Sequence, residues 1–131
     1  MTTCDQRTDA LRQALRIAFG ATAIIAGADK FANILTDWAQ YVSPIASNLI
    51  PFSPQVLMQV AGLVEIAVGV MLLTRWTLVA GYILAAWLTA IALNLAITGQ
   101  FWDIAVRDLL LALSAYTLAE LTSVCQANPR T

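Results

Sequence analysis

The stretch Val56 to Thr74, VLMQVAGLVEIAVGVMLLT, constrains this chain more than any other part of it. It is apolar throughout except for Gln59, the terminal Thr74 and one acid near its centre, Glu65. About 20 helical residues cover the roughly 30 Å of a bilayer's hydrocarbon core, so a run of this length can span it. A carboxyl group at mid-depth is costly against lipid, which turns Glu65 toward other helices, a partner or a polar cavity. Gly62 and Gly69 stand at i−3 and i+4 from it, and the three share one helix face. Such a face lets a second backbone approach closely and offers it a carboxyl group.

Composition extends this to the whole chain. Of its 131 residues, 60% are hydrophobic and 11% charged, with a mean hydropathy of +0.74. A soluble domain carries about 25% charge. The length allows a single all-α domain, a four-helix transmembrane bundle. A net charge of −1 gives no reason to expect nucleic acid. There is no histidine, which removes bis-histidine haem ligation and argues against a zinc, copper or non-haem iron site. No metal site is predicted. Cys4 and Cys125 lie near opposite ends and form no C-x-x-C pair, so a redox dithiol is not expected and they read as incidental thiols. If both lie on one side of the membrane they can still approach, and the sequence leaves that open.

The spans fall at about residues 11–28, 56–74, 76–97 and 104–124. The polar start, Met1 to Ala10, reads as frayed or surface-lying. Arg12 and Arg16 in the first span can snorkel to headgroups. Arg7, Arg12 and Arg16 followed by Ile17 to Ile25 also imitate a signal peptide, but a first transmembrane helix is preferred. Residues 29–55 are too polar and proline-rich to cross, yet carry Phe31, Trp38, Tyr41 and Phe52. Phe31, Ile34, Leu35 and Trp38 follow i, i+3, i+4, i+7, which predicts a short interfacial helix between the first two spans. Pro54 suits the entry to the second span. Basic residues favour both termini inside: Arg7, Arg12, Arg16, Arg75 and Arg130 on one side, Lys30 and Arg107 on the other.

Under that topology, polar groups gather in the outer half of the bundle. Asp29 and Lys30 lie at the outer end of the first span, just beyond it, Asn94 lies near the outer end of the third, and Arg107 and Asp108 near that of the fourth. Neighbouring residues on a helix point about 100° apart, so Arg107 and Asp108 cannot face one partner. Arg107 is expected to pair with Glu65 or Asp103, and Asp108 with Lys30. These charges either fix helix register by neutralising one another or line an outward-facing polar pocket. Gly20 and Gly27 repeat the seven-residue spacing of Gly62 and Gly69, which points to close packing of the first two spans or to a faint internal duplication, packing being preferred. Trp87 and Tyr116 read as apolar fillers, although an aromatic also suits a quinone or lipid groove. Glu120 needs no special role.

Arg16 with Gly20, GADKF at Gly27 to Phe31, GLVEIAVG at Gly62 to Gly69 and RDLLLAL at Arg107 to Leu113 resemble DoxX-like membrane proteins. The likeness runs over residues 11–121. It implies a four-helix protein of the bacterial inner membrane, for which the basic-residue count gives N-in and C-in. In some members the family is linked to quinone-coupled oxidation of sulfur compounds or to redox-stress assemblies. By matching position, Arg16, Lys30, Glu65 and Asp108 are the polar residues it marks. The expected function is an accessory or anchoring subunit of a larger redox or envelope complex, meeting a protein partner or further copies through its helix faces. The alternative is a quinone- or lipid-binding protein that assists electron or proton transfer. No catalytic motif and no obligatory cofactor are predicted, a quinone being the one cofactor considered.

Overall fold

The computed structural model describes residues 4–127, and all regular structure among them is helical. Residues 1–3 and Arg130 lie outside the described residues. Four long helices, α1 (Gln6–Ala32), α3 (Pro54–Leu72), α4 (Thr77–Thr98) and α5 (Trp102–Ala127), form an antiparallel bundle. A surface segment joins α1 to α3 and holds a 3-10 turn (Trp38–Tyr41) and α2 (Pro44–Leu49). The closest packing lies within two pairs, α1 with α3 and α4 with α5. Helices α3 and α4 are long and apolar enough to cross a membrane. Helices α1 and α5 have the length, at 27 and 26 residues, but carry more charge.

Local chemistry sets the helix ends. Asp5 caps α1 by accepting from the Thr8 amide at 2.7 Å, so the helix starts five residues earlier than the apolar run predicts. Ser43 and Ser53 cap α2 and α3 in the same way, each followed by a proline in the first turn. Gly99 ends α4 in the left-handed region, at φ 73°.

The predicted helix through Phe31, Ile34, Leu35 and Trp38 does not form. Asn33 adopts φ 53°, ψ 39° and ends α1 after Ala32. The Asp29 carboxylate then accepts from the Ile34 and Leu35 amides at 3.1 and 3.0 Å, which folds the chain back. This local bonding overrides the apolar periodicity. Ile34 and Leu35 project outward instead, 81% and 67% exposed.

Glycines set the approach within the first pair. A Cβ at Gly27 would lie 2.6 Å from the Gly62 carbonyl oxygen, and one at Gly62 would lie 2.5 Å from that of Gly27. One turn and more away, Gly69 faces Gly20 and Ala23. The α4–α5 pair uses alanine: Ala80, Ala112, Ala115 and Ala119 are buried, with Gly81 against Ala119. Leu72, Leu84 and Leu118 fill the space between the pairs. Large apolar side chains are exposed on all four long helices, among them Ile25, Leu63, Leu93 and Leu110.

With four antiparallel helices, α1 begins and α5 ends at the same end of the bundle. Cys4 and Cys125, read from the sequence as incidental thiols, are joined there in a disulfide, with Cα atoms 4.8 Å apart. The separation of 121 residues hid a proximity that only the bundle creates.

Candidate functional site

Lys30 and Glu65 form a buried ion pair in the half of the bundle where α1 ends, with Nζ 2.8 Å from Oε2. The glycine contact places them. The backbone of Lys30 sits over Gly62, where an added Cβ would lie 3.1 Å from the Lys30 Cβ, and the long lysine side chain runs about one turn along the antiparallel α3 to reach Glu65. Their side chains are 6% and 10% exposed. Two tryptophans enclose the pair. Lys30 Nζ sits 3.8 Å from the centroid of the Trp38 ring, a cation–π contact. The Trp87 indole N–H donates to Glu65 Oε1 at 3.4 Å, so Trp87 is more than an apolar filler.

Asp29 holds this roof in place. Its carboxylate accepts from the Trp38 indole at 2.8 Å, in addition to the two amides that fold the chain. Burial pushes the Asp29 carboxyl up, but the bonds from Trp38, Leu35 and Ile34, with Lys30 beside it, outweigh this and hold it below the ordinary carboxylate value.

The remaining sequence candidates divide. Asp108 is buried on α5, within electrostatic reach of Glu65 and Lys30. Arg107 lies at the rim with its side chain 65% exposed, and its guanidinium is 3.5 Å from Asp108 Oδ1. The expected pairings of Arg107 with Glu65 or Asp103, and of Asp108 with Lys30, are therefore replaced. The Gly27–Gly62 register commits Lys30 to Glu65, and a buried Asp108 turns its neighbour Arg107 outward. Asn94 does other work: its side chain accepts from the Ser43 amide at 3.0 Å and donates to the Tyr41 carbonyl at 2.6 Å, clamping the surface segment to α4.

Arg16 lies at the opposite end. Its guanidinium donates to the Leu72 carbonyl at 2.8 Å and the Leu73 carbonyl at 2.5 Å, capping the C-terminus of α3. It also donates to Gln13 and Thr77. Asp29, Trp38 and Trp87 were not selected as site residues from the sequence; their signal was an acid and two indoles within reach of the same ion pair, visible only once the helices are registered.

Beside the pair, between α1 and the α4–α5 hairpin, lies a cavity of about 370 Å³. Its walls include Phe19, Thr22, Leu84, Trp87 and Leu111, and Glu65 is the one ionisable group among the described residues that line it. A carboxylate bonded on one side by Lys30 and reaching an apolar cavity on the other can accept or release a proton with a ligand seated there.

Residues 11–99 match the DoxX family. The chain belongs to the DoxX family. The match takes in α1 from its second turn, the surface segment, α3 and α4, and so covers Arg16, Lys30 and Glu65. Arg107 and Asp108 lie beyond it, although the sequence resemblance extended to them. No curated protein and no solved structure shows significant similarity to the chain. As a DoxX protein it is a small membrane protein in contact with the lipid bilayer.

Proposed function

We propose that this DoxX protein spans the bacterial inner membrane four times and binds a neutral amphiphile with a hydrogen-bonding head, a quinone being the chemistry that fits best. The observation that carries this is the apolar cavity with Glu65 as its single ionisable wall residue. Ligand pockets are mostly apolar with a few polar groups that orient the ligand. Here Glu65 and the Trp87 indole supply polarity, and Thr22 and Ser114 add hydroxyls. The Lys30 ammonium, 2.8 Å from Oε2, offsets the charge of the carboxylate beside the cavity. A hydroxyl of the quinol form would then donate a hydrogen bond to the Glu65 carboxylate while Lys30 balances the charge.

Four spans are supported by the large apolar side chains exposed on every long helix. Arg7, Arg12, Arg16 and Arg75 at the end where α1 begins and α5 ends favour N-in and C-in, against Lys30 and Arg107 at the other end. A second reading is an accessory or anchoring subunit of a larger redox or envelope complex. It is favoured by Ile34, Leu35 and Leu49, which project from the surface segment and would suit a protein partner.

Titration of the purified bundle with a short-chain quinone, followed by tryptophan fluorescence, tests the first reading. Saturable quenching is expected, and Ala18→Phe, which fills the cavity, should abolish it while leaving the helical content unchanged. Quenching that survives Ala18→Phe, or none in the native protein, rejects the ligand reading. A stoichiometric protein partner retained in mild detergent by a bundle that binds no quinone supports the subunit reading.

A further inference from the structure

The end of the bundle opposite the Lys30–Glu65 pair holds a second cavity, of about 550 Å³. Cys4 and Cys125 form part of its wall, and Arg12, Arg16 and Arg75 form another part. Against these three cations the described lining residues include one carboxylate, Asp9, which pairs with Arg12 at 2.7 Å. The described lining thus carries more cations than anions, although the Asp9 carboxylate lies within 4.8 Å of both sulfurs. Arg16 is held rigidly by the carbonyls of Leu72 and Leu73, whereas Arg75 is exposed and rests over the Trp76 ring at 5.4 Å. Cys4 is 7% exposed and Cys125 half-buried, so Cys125 is the more accessible residue of the two.

Two features, both drawn from the arginines, set this disulfide apart from a structural staple. Reactive cysteines sit in electropositive, partly exposed surroundings, because nearby cations stabilise the thiolate. The arginines also place this end in the cytoplasm, where disulfides are transient and catalytic or redox-sensing. This second point rests on the N-in orientation proposed above; the first does not.

We propose that Cys4–Cys125 is a redox-active disulfide that exchanges with a small anionic thiol docked among Arg12, Arg16 and Arg75. The incoming thiolate attacks Cys125 Sγ, the Cys4–Cys125 bond breaks, and its electron pair leaves on Cys4 Sγ. A second thiolate then attacks the external sulfur of the mixed disulfide and releases Cys125 as a thiolate. Two external thiols are oxidised to one disulfide, the protein disulfide is reduced, and the two protons lost by the thiols pass to Cys4 and Cys125. The reverse exchange, driven by the external disulfide, closes the bond again. Closing pins the start of α1 to the end of α5; opening frees both.

The test uses the full chain in detergent, with the opening of the disulfide read by alkylation and gel shift. Mercaptosuccinate, 2-mercaptoethanol and cysteamine serve as anionic, neutral and cationic probes, with rates compared per thiolate. The anionic probe should react about tenfold faster than the neutral one and the cationic probe more slowly, as expected for a charged cleft. Arg75→Gln should shrink the preference without altering the fold, since Arg75 is exposed. Equal rates for all three thiols in the native protein overturn the proposal. So does a disulfide that stays closed in glutathione buffered at the cytosolic ratio. Both measurements are made without a membrane, so their failure is separate from an error in orientation or in the quinone reading.

Discussion

Removing one member of the Lys30–Glu65 pair should cost far more than removing both. At 2.8 Å the gross attraction of two unit charges is about 6 kcal/mol at an effective dielectric near 20, much of which only offsets their desolvation. The loss on breaking the pair comes from the charge left behind. With both side chains almost inaccessible, Lys30→Met or Glu65→Leu should each destabilise by about 3–5 kcal/mol, less whatever the membrane-inserted unfolded state recovers. Lys30→Met also loses the Trp38 contact, worth about 0.5–2 kcal/mol. The double variant Lys30→Met/Glu65→Leu should regain most of the sum, giving a coupling energy of about 2 kcal/mol or more. Glu65→Gln should be milder than Glu65→Leu, because an amide still accepts from Lys30 and Trp87. Detergent-induced unfolding followed by tryptophan fluorescence measures all four, since Trp38 and Trp87 touch the pair directly. Single losses that add to within about 0.5 kcal/mol would refute the idea that the two charges depend on each other.

Gly62→Ala should destabilise the bundle by about 1–3 kcal/mol in the same assay, because its methyl meets the Gly27 backbone carbonyl at 2.5 Å. Gly81→Ala, whose methyl would stand 3.0 Å from the Ala119 Cβ, should be milder; the opposite order would show that the glycine contact is not what sets helix approach. The lowered Asp29 carboxyl contributes stability that is fully present above the unfolded value of about 3.9 and is lost as pH falls through the folded value. Acidification below about pH 4 should therefore release Trp38, seen as a fluorescence change, and Asp29→Asn should remove that acid-dependent step. An Asn48→Cys variant in intact cells should react with an impermeant maleimide from outside, while labelling only after lysis would reverse the orientation.

Much of the helical framework was legible because apolar run length and glycine spacing are local. Glu65 flanked by Gly62 and Gly69 already located a helix face that another backbone must meet, and Lys30 and Asp108 stood out as ions in apolar surroundings. What stayed hidden depended on register and on hydrogen bonds across long separations. Whether Lys30 meets Glu65 or Asp108 is decided by which carbonyl Gly27 packs against. The end of α1 was misread because Asp29 gives the backbone a better alternative than the helix promised by Phe31, Ile34 and Leu35. Asn94 looked like a site residue because it is polar within an apolar span, yet Tyr41 and Ser43 absorb it. The Cys4–Cys125 bond could not be read from spacing, since it exists only because an even number of helices returns the chain to its start.

Photo-affinity labelling with an azido-quinone, mapped by mass spectrometry of the purified protein, tests the central claim most directly. Adducts confined to residues around Glu65, such as Phe19, Thr22 and Trp87, and suppressed by excess native quinone, are the predicted result. Adducts spread along lipid-facing side chains such as Leu63 and Leu110, with no competition by native quinone, would contradict it.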